Sequence, residues 1–94
     1  MSRVYVSDIQ RAVCEHYRIS RDDMLSPSRF KLIAEPRQVG MYLARAITTL
    51  SFPQIAARFN RADHSTVCHA YRKIEANWQR FGRDVEAIRE RLAA

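Results

Sequence analysis

Four consecutive polar residues, Asp63, His64, Ser65 and Thr66, stand where an amphipathic segment begins. Residues 51–74 are predicted to form two helices joined by a tight turn, with these four residues opening the second helix. Hydroxyl groups, a histidine and a carboxylate at an exposed helix start are suited to contacting base edges in the major groove of DNA. The alternative is purely structural: Asp63 is then an N-cap, and Ser65 and Thr66 are ordinary first-turn residues.

The positive charge of the chain is concentrated around this segment. The sequence of 94 residues has a formal net charge of +6. Residues 26–74 carry eight Lys or Arg residues against two acids, Glu35 and Asp63, whereas the flanks carry eight of each sign. A localised basic surface favours a polyanionic partner, of which nucleic acid is the commonest. A solvated basic face without a partner is the alternative.

Further residues are candidates for holding a phosphate backbone. Arg37 and Gln38 are predicted in the first turn of the third helix, where free N–H groups and the positive end of the helix dipole favour a phosphate. A solvated helix start without a phosphate is the alternative. Arg72 and Lys73 are placed to reach a phosphate from the helix that Asp63 opens, with a solvated face as the alternative. Arg29 and Lys31 lie on a segment predicted to be irregular, which suits entry into a minor groove.

The remainder of the chain predicts one all-α domain, residues 1–94, with five to six helices. Helices are expected over 7–18, 20–25, from Pro36 to about 50, 51–59, from 63–65 to about 80, and 83–92, with 26–35 as a loop or a single turn. Ser7, Ser20 and Ser51 are predicted N-caps. Trp78 and Tyr71 are predicted core residues.

The sequence offers little to support catalysis or metal binding. It contains no Cys-x-x-Cys pair, no His-x-x-x-His pair and no glycine-rich phosphate loop. Cys14 and Cys68 are expected to be free thiols packed as small hydrophobic residues, and a Cys68–His nucleophile is a minor alternative. No secretory signal and no apolar run of about 20 residues is present. We therefore predict no enzyme activity, no metal, no cofactor and no membrane partner, and a cytoplasmic, nucleoid-associated location.

Several motifs occur together between residues 9 and 75. They are Asp-Met-Leu-Ser at 23–26, Pro-Arg-Gln at 36–38, Asp-His-Ser-Thr-Val at 63–67, His-Ala at 69–70 and Arg-Lys-Ile-Glu at 72–75. In this combination the sequence resembles the C-terminal DNA-binding domain of the bacterial chromosomal replication initiator DnaA. Pro-Arg-Gln and Asp-His-Ser-Thr-Val at this spacing are specific as a pair, whereas either alone is weak.

The resemblance implies a helix-turn-helix related to that of the Trp repressor, and recognition of a short asymmetric box such as TTATCCACA by a monomer. It implies that Asp63, His64 and Ser65 face the bases. The residues that it implies at phosphates are Thr66, Arg37, Gln38 and Lys73. Lys31 stands where the family usually has an arginine in the minor groove.

The sequence also departs from the family pattern. Residues 60–62 read Asn-Arg-Ala, where the family usually has a glycine-rich turn ending in arginine, so Arg61 either substitutes from one position earlier or that contact is lost. Glu35 stands where the family often has arginine. Lys31 cannot reproduce the forked donors of arginine. These departures predict weaker binding to the standard box or a shifted preference.

The resemblance leads to two predictions of function. The family domain normally follows an ATPase module, which this sequence lacks; the start at Met1 favours a stand-alone chain, with an excised domain as the alternative. The leading prediction is sequence-specific binding of double-stranded DNA at DnaA-box-like sites, as a regulator of replication or transcription without its own ATPase. The second is a degenerate domain that binds the initiator or replisome proteins.

Overall fold

Six α-helices account for most of residues 3–94, which are the residues that the computed structural model describes, and no strand occurs among them. The all-α prediction is confirmed. The helices are α1 (Val6–Tyr17), α2 (Arg21–Leu25), α3 (Lys31–Ile47), α4 (Phe52–Arg58), α5 (Ser65–Ala76) and α6 (Trp78–Ala93).

Two of the three predicted serine caps are present. The Ser20 hydroxyl accepts a hydrogen bond from the backbone N–H of Asp23 at 3.0 Å, at the start of α2. At the start of α4, Ser51 and Gln54 exchange side-chain and backbone hydrogen bonds in a capping box. The prediction for Ser7 is wrong because α1 begins one residue earlier, at Val6, so that Ser7 lies inside the helix.

Helix α3 starts earlier than the sequence predicts. Residues 26–35 were expected to be a loop or a turn, with a helix from Pro36, yet α3 begins at Lys31 and continues through Pro36. Proline inside a helix removes the hydrogen bond to the carbonyl four residues before it, here that of Leu32. Leu32 is 69% exposed, so water can reach this end of the helix. The buried face of α3 offsets the single lost bond.

The break between the last two helices also differs from the prediction. One helix was expected to continue to about residue 80, but α5 ends at Ala76 and α6 starts at Trp78. Asn77 ends α5: its side-chain amide donates to the Lys73 carbonyl at 2.8 Å, and its backbone leaves the helical region at φ −120° and ψ 40°. Asparagine competes with helical hydrogen bonding in this way.

Helix α3 runs through the centre of the fold and packs against α1, α2, α4, α5 and α6. Gly40 lets the turn after α4 approach α3 closely, because a Cβ at this position would lie 3.1 Å from two ring carbons of Phe59. Phe59 itself is fully buried. The central helix therefore fixes the position of the α4–α5 pair.

Trp78 is not a core residue as predicted: it remains 39% exposed, and Tyr71 is half-buried. Both belong to an aromatic cluster at the surface, in which Tyr42 stacks on Tyr71 with ring centroids 4.9 Å apart and lies 5.8 Å from Trp78. Trp78 covers Gly82, whose missing side chain makes room for the indole. None of the helices in the described residues is long and apolar enough to span a membrane.

Candidate nucleic-acid interface

Helices α4 and α5 and the turn 59–64 form the predicted helix-turn-helix. Asn60 adopts a left-handed backbone conformation with φ 59°, which asparagine tolerates better than most residues. The following N–H, that of Arg61, donates to the Ala56 carbonyl at 2.8 Å and closes the end of α4. The turn thereby directs the chain into α5 with the start of that helix at the surface.

The three residues predicted to face bases stand at this helix start. Asp63 and His64 are exposed and Ser65 is half-buried. The Asp63 carboxylate accepts the backbone N–H of Ser65 at 2.9 Å, a bond that lowers the pKa of Asp63. The structure thus gives Asp63 a capping role. His64 has an exposed side chain for contact with a partner.

Beside this helix start lies an open cleft of about 710 Å³ between α3, the 26–30 segment, the turn and α5. It collects six of the predicted site residues: Lys31, Arg37, Gln38, Arg61, Thr66 and Lys73. Arg29 lines it as well, so that five basic side chains surround one space with a single acid, Glu35. Such a lining is suited to hold a polyanion.

Arg37 lies in the second turn of α3 and not in a first turn as predicted. Its side chain is buried, and its guanidinium donates to the carbonyls of Met24 at 2.7 Å, Ser28 at 2.9 Å and Ser26 at 2.9 Å, with a longer contact to Asp23. Most of its donors are thus engaged, and Arg37 holds the 26–30 segment in place. Its contact with a phosphate stays a prediction.

Arg61 reaches the same segment from the turn. Its guanidinium donates to the Ser26 carbonyl at 2.7 Å and to that of Asn60 at 3.3 Å. Burial, and secondarily the neighbouring charge of Arg61, lowers the pKa of Arg37 to about 10. Arg37 therefore remains charged at neutral pH, and its guanidinium lies beside that of Arg61 at the edge of the cleft.

Lys73 and Gln38 face the same part of the cleft from α5 and α3. The Lys73 ammonium lies 3.7 Å from the Glu35 carboxylate, which also accepts a hydrogen bond from Arg80 at 2.7 Å. Glu35 Oε2 and Gln38 Oε1 are both buried without a hydrogen-bond partner among the described residues. This part of the cleft therefore contains two buried oxygen acceptors that lack a hydrogen-bond donor within residues 3–94.

Residues 6–74 match the family model described as the bacterial dnaA protein helix-turn-helix. The chain belongs to this DnaA helix-turn-helix family. The match covers α1 to α5 almost completely and includes every predicted site residue. It agrees with the resemblance drawn from the sequence motifs and with the all-helical fold.

Proteins named chromosomal replication initiator protein DnaA are similar to this chain. The protein of Sphingopyxis alaskensis is 54% identical over 74 residues, covering 79% of this chain and 16% of its own length. That of Agrobacterium fabrum is 46% identical over 90 residues, covering 93% and 18%. That of Cereibacter sphaeroides is 44% identical over 95 residues, covering 98% and 21%. The chain thus spans about a fifth of the length of these DnaA proteins.

Sequence reasoning underestimated Glu35 as a member of the DnaA-type site. It was noted as a departure from the family pattern, without a partner. Once α3 is known to begin at Lys31, the helical spacing places Lys31, Ala34, Glu35 and Gln38 on one face, and all four line the cleft. A predicted helix that begins before Pro36, at Lys31, would have revealed this face.

Proposed function

We propose that this domain binds double-stranded DNA sequence-specifically, at sites resembling the DnaA box. His64 and Ser65 read base edges from the start of α5, with Asp63 capping the helix beside them. Thr66, Gln38 and Lys73 contact phosphates, and Lys31 approaches a minor groove. Arg37 and Arg61 position the segment that leads to Lys31.

The observation that carries this proposal is the convergence of five basic side chains on one cleft beside the exposed start of α5. An α-helix fits the major groove of B-form DNA, and short side chains at its start allow close approach. Phosphate contacts on either side fix the register of such a helix on the duplex. The cleft supplies these contacts from α3 and from α5 itself.

Fluorescence-anisotropy titrations test the proposal directly. The domain is titrated into a labelled TTATCCACA duplex and into a scrambled duplex of equal length, each over a salt series. We expect tighter binding to the box at physiological salt and a linear loss of log affinity with log salt on both duplexes. Equal affinities would remove sequence specificity, and no binding to either duplex would reject DNA binding altogether.

A role as a regulator follows from this mode of binding. A bound domain occupies a box that an initiator would otherwise use, so it acts on replication or transcription by competition. Binding as a monomer to an asymmetric box is the expected stoichiometry. Titration of one box beyond saturation measures the stoichiometry. A competition experiment in which the domain displaces an initiator of a related bacterium from one box tests the regulatory role, and simultaneous binding of both proteins to that box would contradict competition.

One observation favours a second candidate function, which is binding of a replication protein. Phe30 and Leu32 are 64% and 69% exposed at the start of α3. They line a second groove together with Ile19, Ile33 and Phe81, and this groove adjoins the basic cleft at Lys31 and Glu35. Exposed apolar side chains of this size are typical of interaction sites. Leu32→Ser would weaken association with an initiator or replisome protein in the absence of DNA. If it leaves that association intact, this candidate fails.

A further inference from the structure

Glu35 is the only acidic side chain among the residues that line the basic cleft. It lies on α3 with its side chain 14% exposed. The Arg80 guanidinium, from α6, donates to Oε1 at 2.7 Å, whereas Oε2 is buried without a hydrogen bond. A carboxylate at this depth is stable only when cations compensate its charge.

Lys73 is the second cation beside this carboxylate, and its ammonium lies between Glu35 and the solvent of the cleft. Its Nζ lies 3.7 Å from Glu35 Oε2, which is close enough for electrostatic attraction but too long for a hydrogen bond. Its side chain is 39% exposed, so the ammonium also has access to the solvent in the cleft. A lysine on a flexible stem with three donors can be directed to either side.

We propose that Glu35 lowers the affinity of this domain for DNA by holding Lys73 away from the phosphate backbone. Lys73 neutralises Glu35 in the free protein, so that one of the five cations of the cleft is not available to a phosphate. A duplex must compete with the carboxylate for it. Because the competition involves only the backbone, Glu35 weakens binding to every sequence and keeps nonspecific binding low. This inference rests on the proposed DNA-binding function.

The test is Glu35→Gln, which preserves the size of the side chain and an acceptor for Arg80. We expect tighter binding to both the box and the scrambled duplex, by roughly fivefold at 0.1 M salt, because Lys73 no longer has to leave a partly exposed ion pair before it contacts a phosphate. Glu75→Gln is the matched control: it removes the same charge from an exposed position on α5 that does not line the cleft. It should leave both affinities within about twofold.

A double-mutant cycle separates an effect through Lys73 from a general effect of charge. In a Lys73→Ala background, Glu35→Gln should no longer raise the affinity. A gain that persists there, or an equal gain from Glu75→Gln, overturns the proposal. If the wild type binds DNA and Glu35→Gln binds no better, only this inference fails. If neither protein binds either duplex, the proposed function fails with it.

Discussion

Arg37 and Arg61 donate to the same acceptor, the carbonyl oxygen of Ser26, at 2.9 and 2.7 Å. One arginine comes from the central helix and the other from the turn of the helix-turn-helix. Two positive charges are thus held together at the edge of the cleft, where a nearby phosphate would reduce their mutual repulsion. The shared carbonyl also connects the 26–30 segment to the helix-turn-helix.

Arg37→Ala should destabilise the fold by roughly 3 kcal/mol, because it removes several charged hydrogen bonds to backbone carbonyls at a buried site. Urea denaturation of the variant and the wild type measures this difference. Arg89→Ala, at an exposed position on α6, is the control and should change stability by less than about 0.5 kcal/mol. Unchanged stability of Arg37→Ala with weaker DNA binding would contradict this structural role and support the predicted phosphate contact of Arg37.

Lys31→Ala should weaken binding to box and scrambled duplexes by similar factors and reduce the salt slope by about one. Lys31 is exposed at the start of α3 and lines the cleft, so its loss removes one cation without disturbing the core. Salt-dependent anisotropy provides the measurement, and Arg89→Ala again serves as the matched loss of charge. A similar change of slope in both variants would show that only the net charge matters.

His64→Ala should cost roughly 1–3 kcal/mol of binding free energy on the preferred duplex and little on scrambled DNA. The reason is that His64 is exposed at the start of α5, where the proposed mode of binding brings its ring to the bases. Anisotropy titrations on both duplexes at one salt concentration measure the two effects. Equal losses on both would exclude His64 from base recognition.

Asn60→Val should destabilise the protein by about 1–2 kcal/mol, because a β-branched side chain is strained in the left-handed conformation that the turn requires. Asn60→Gly is the control, since glycine adopts this conformation without strain. Thermal unfolding of both variants gives the comparison. If the two variants have the same melting temperature, the positive φ at residue 60 does not constrain the turn.

Asp63→Ala should lower the melting temperature at neutral pH by removing the acceptor for the Ser65 N–H. That hydrogen bond lowers the pKa of Asp63 below its usual 3.8. A lowered folded-state pKa means that the stabilisation is complete above the usual value and is lost as the pH falls through the lowered one. Melting curves of variant and wild type should therefore converge in strong acid. A difference that does not change with pH would exclude the ionised cap.

Asp63→Asn separates the charge of this residue from its hydrogen bond. The amide oxygen still accepts from Ser65, so the variant should be more stable than Asp63→Ala at neutral pH. The stabilisation by residue 63 should also no longer decrease in acid, because the amide does not titrate. An Asp63→Asn protein as unstable as Asp63→Ala would point to the charge alone.

The helix-turn-helix was predictable because its signals are local. The capping residues Ser51 and Gln54 lie within one turn of the helix they start, and the asparagine of the turn lies within two residues of the end of α4. The apolar positions Val67, Ala70 and Ile74 repeat at helical spacing and are buried. Short-range chemistry of this kind is present in the sequence itself.

The start of helix α3 was predicted wrongly because it depends on distant partners. Helix α3 continues through Pro36 because its face packs on several other helices. The break at Asn77, by contrast, involves a local hydrogen bond to the Lys73 carbonyl, which the prediction of a continuous apolar stripe to Trp78 did not take into account. Tertiary packing outweighs local propensity at Pro36 only. The one-dimensional pattern contains no information on which face will be covered.

The sequence by itself determined the helical class, the family and the polar residues at the start of α5, since each rests on a motif or a period within a few residues. Only the tertiary structure decided what the basic residues do. Arg37 is separated from its acceptor Met24 by 13 positions, and Glu35 from Arg80 by 45. Whether a charge is buried against a carbonyl, paired with an acid or free for a phosphate depends on such contacts, which form only when the chain has folded.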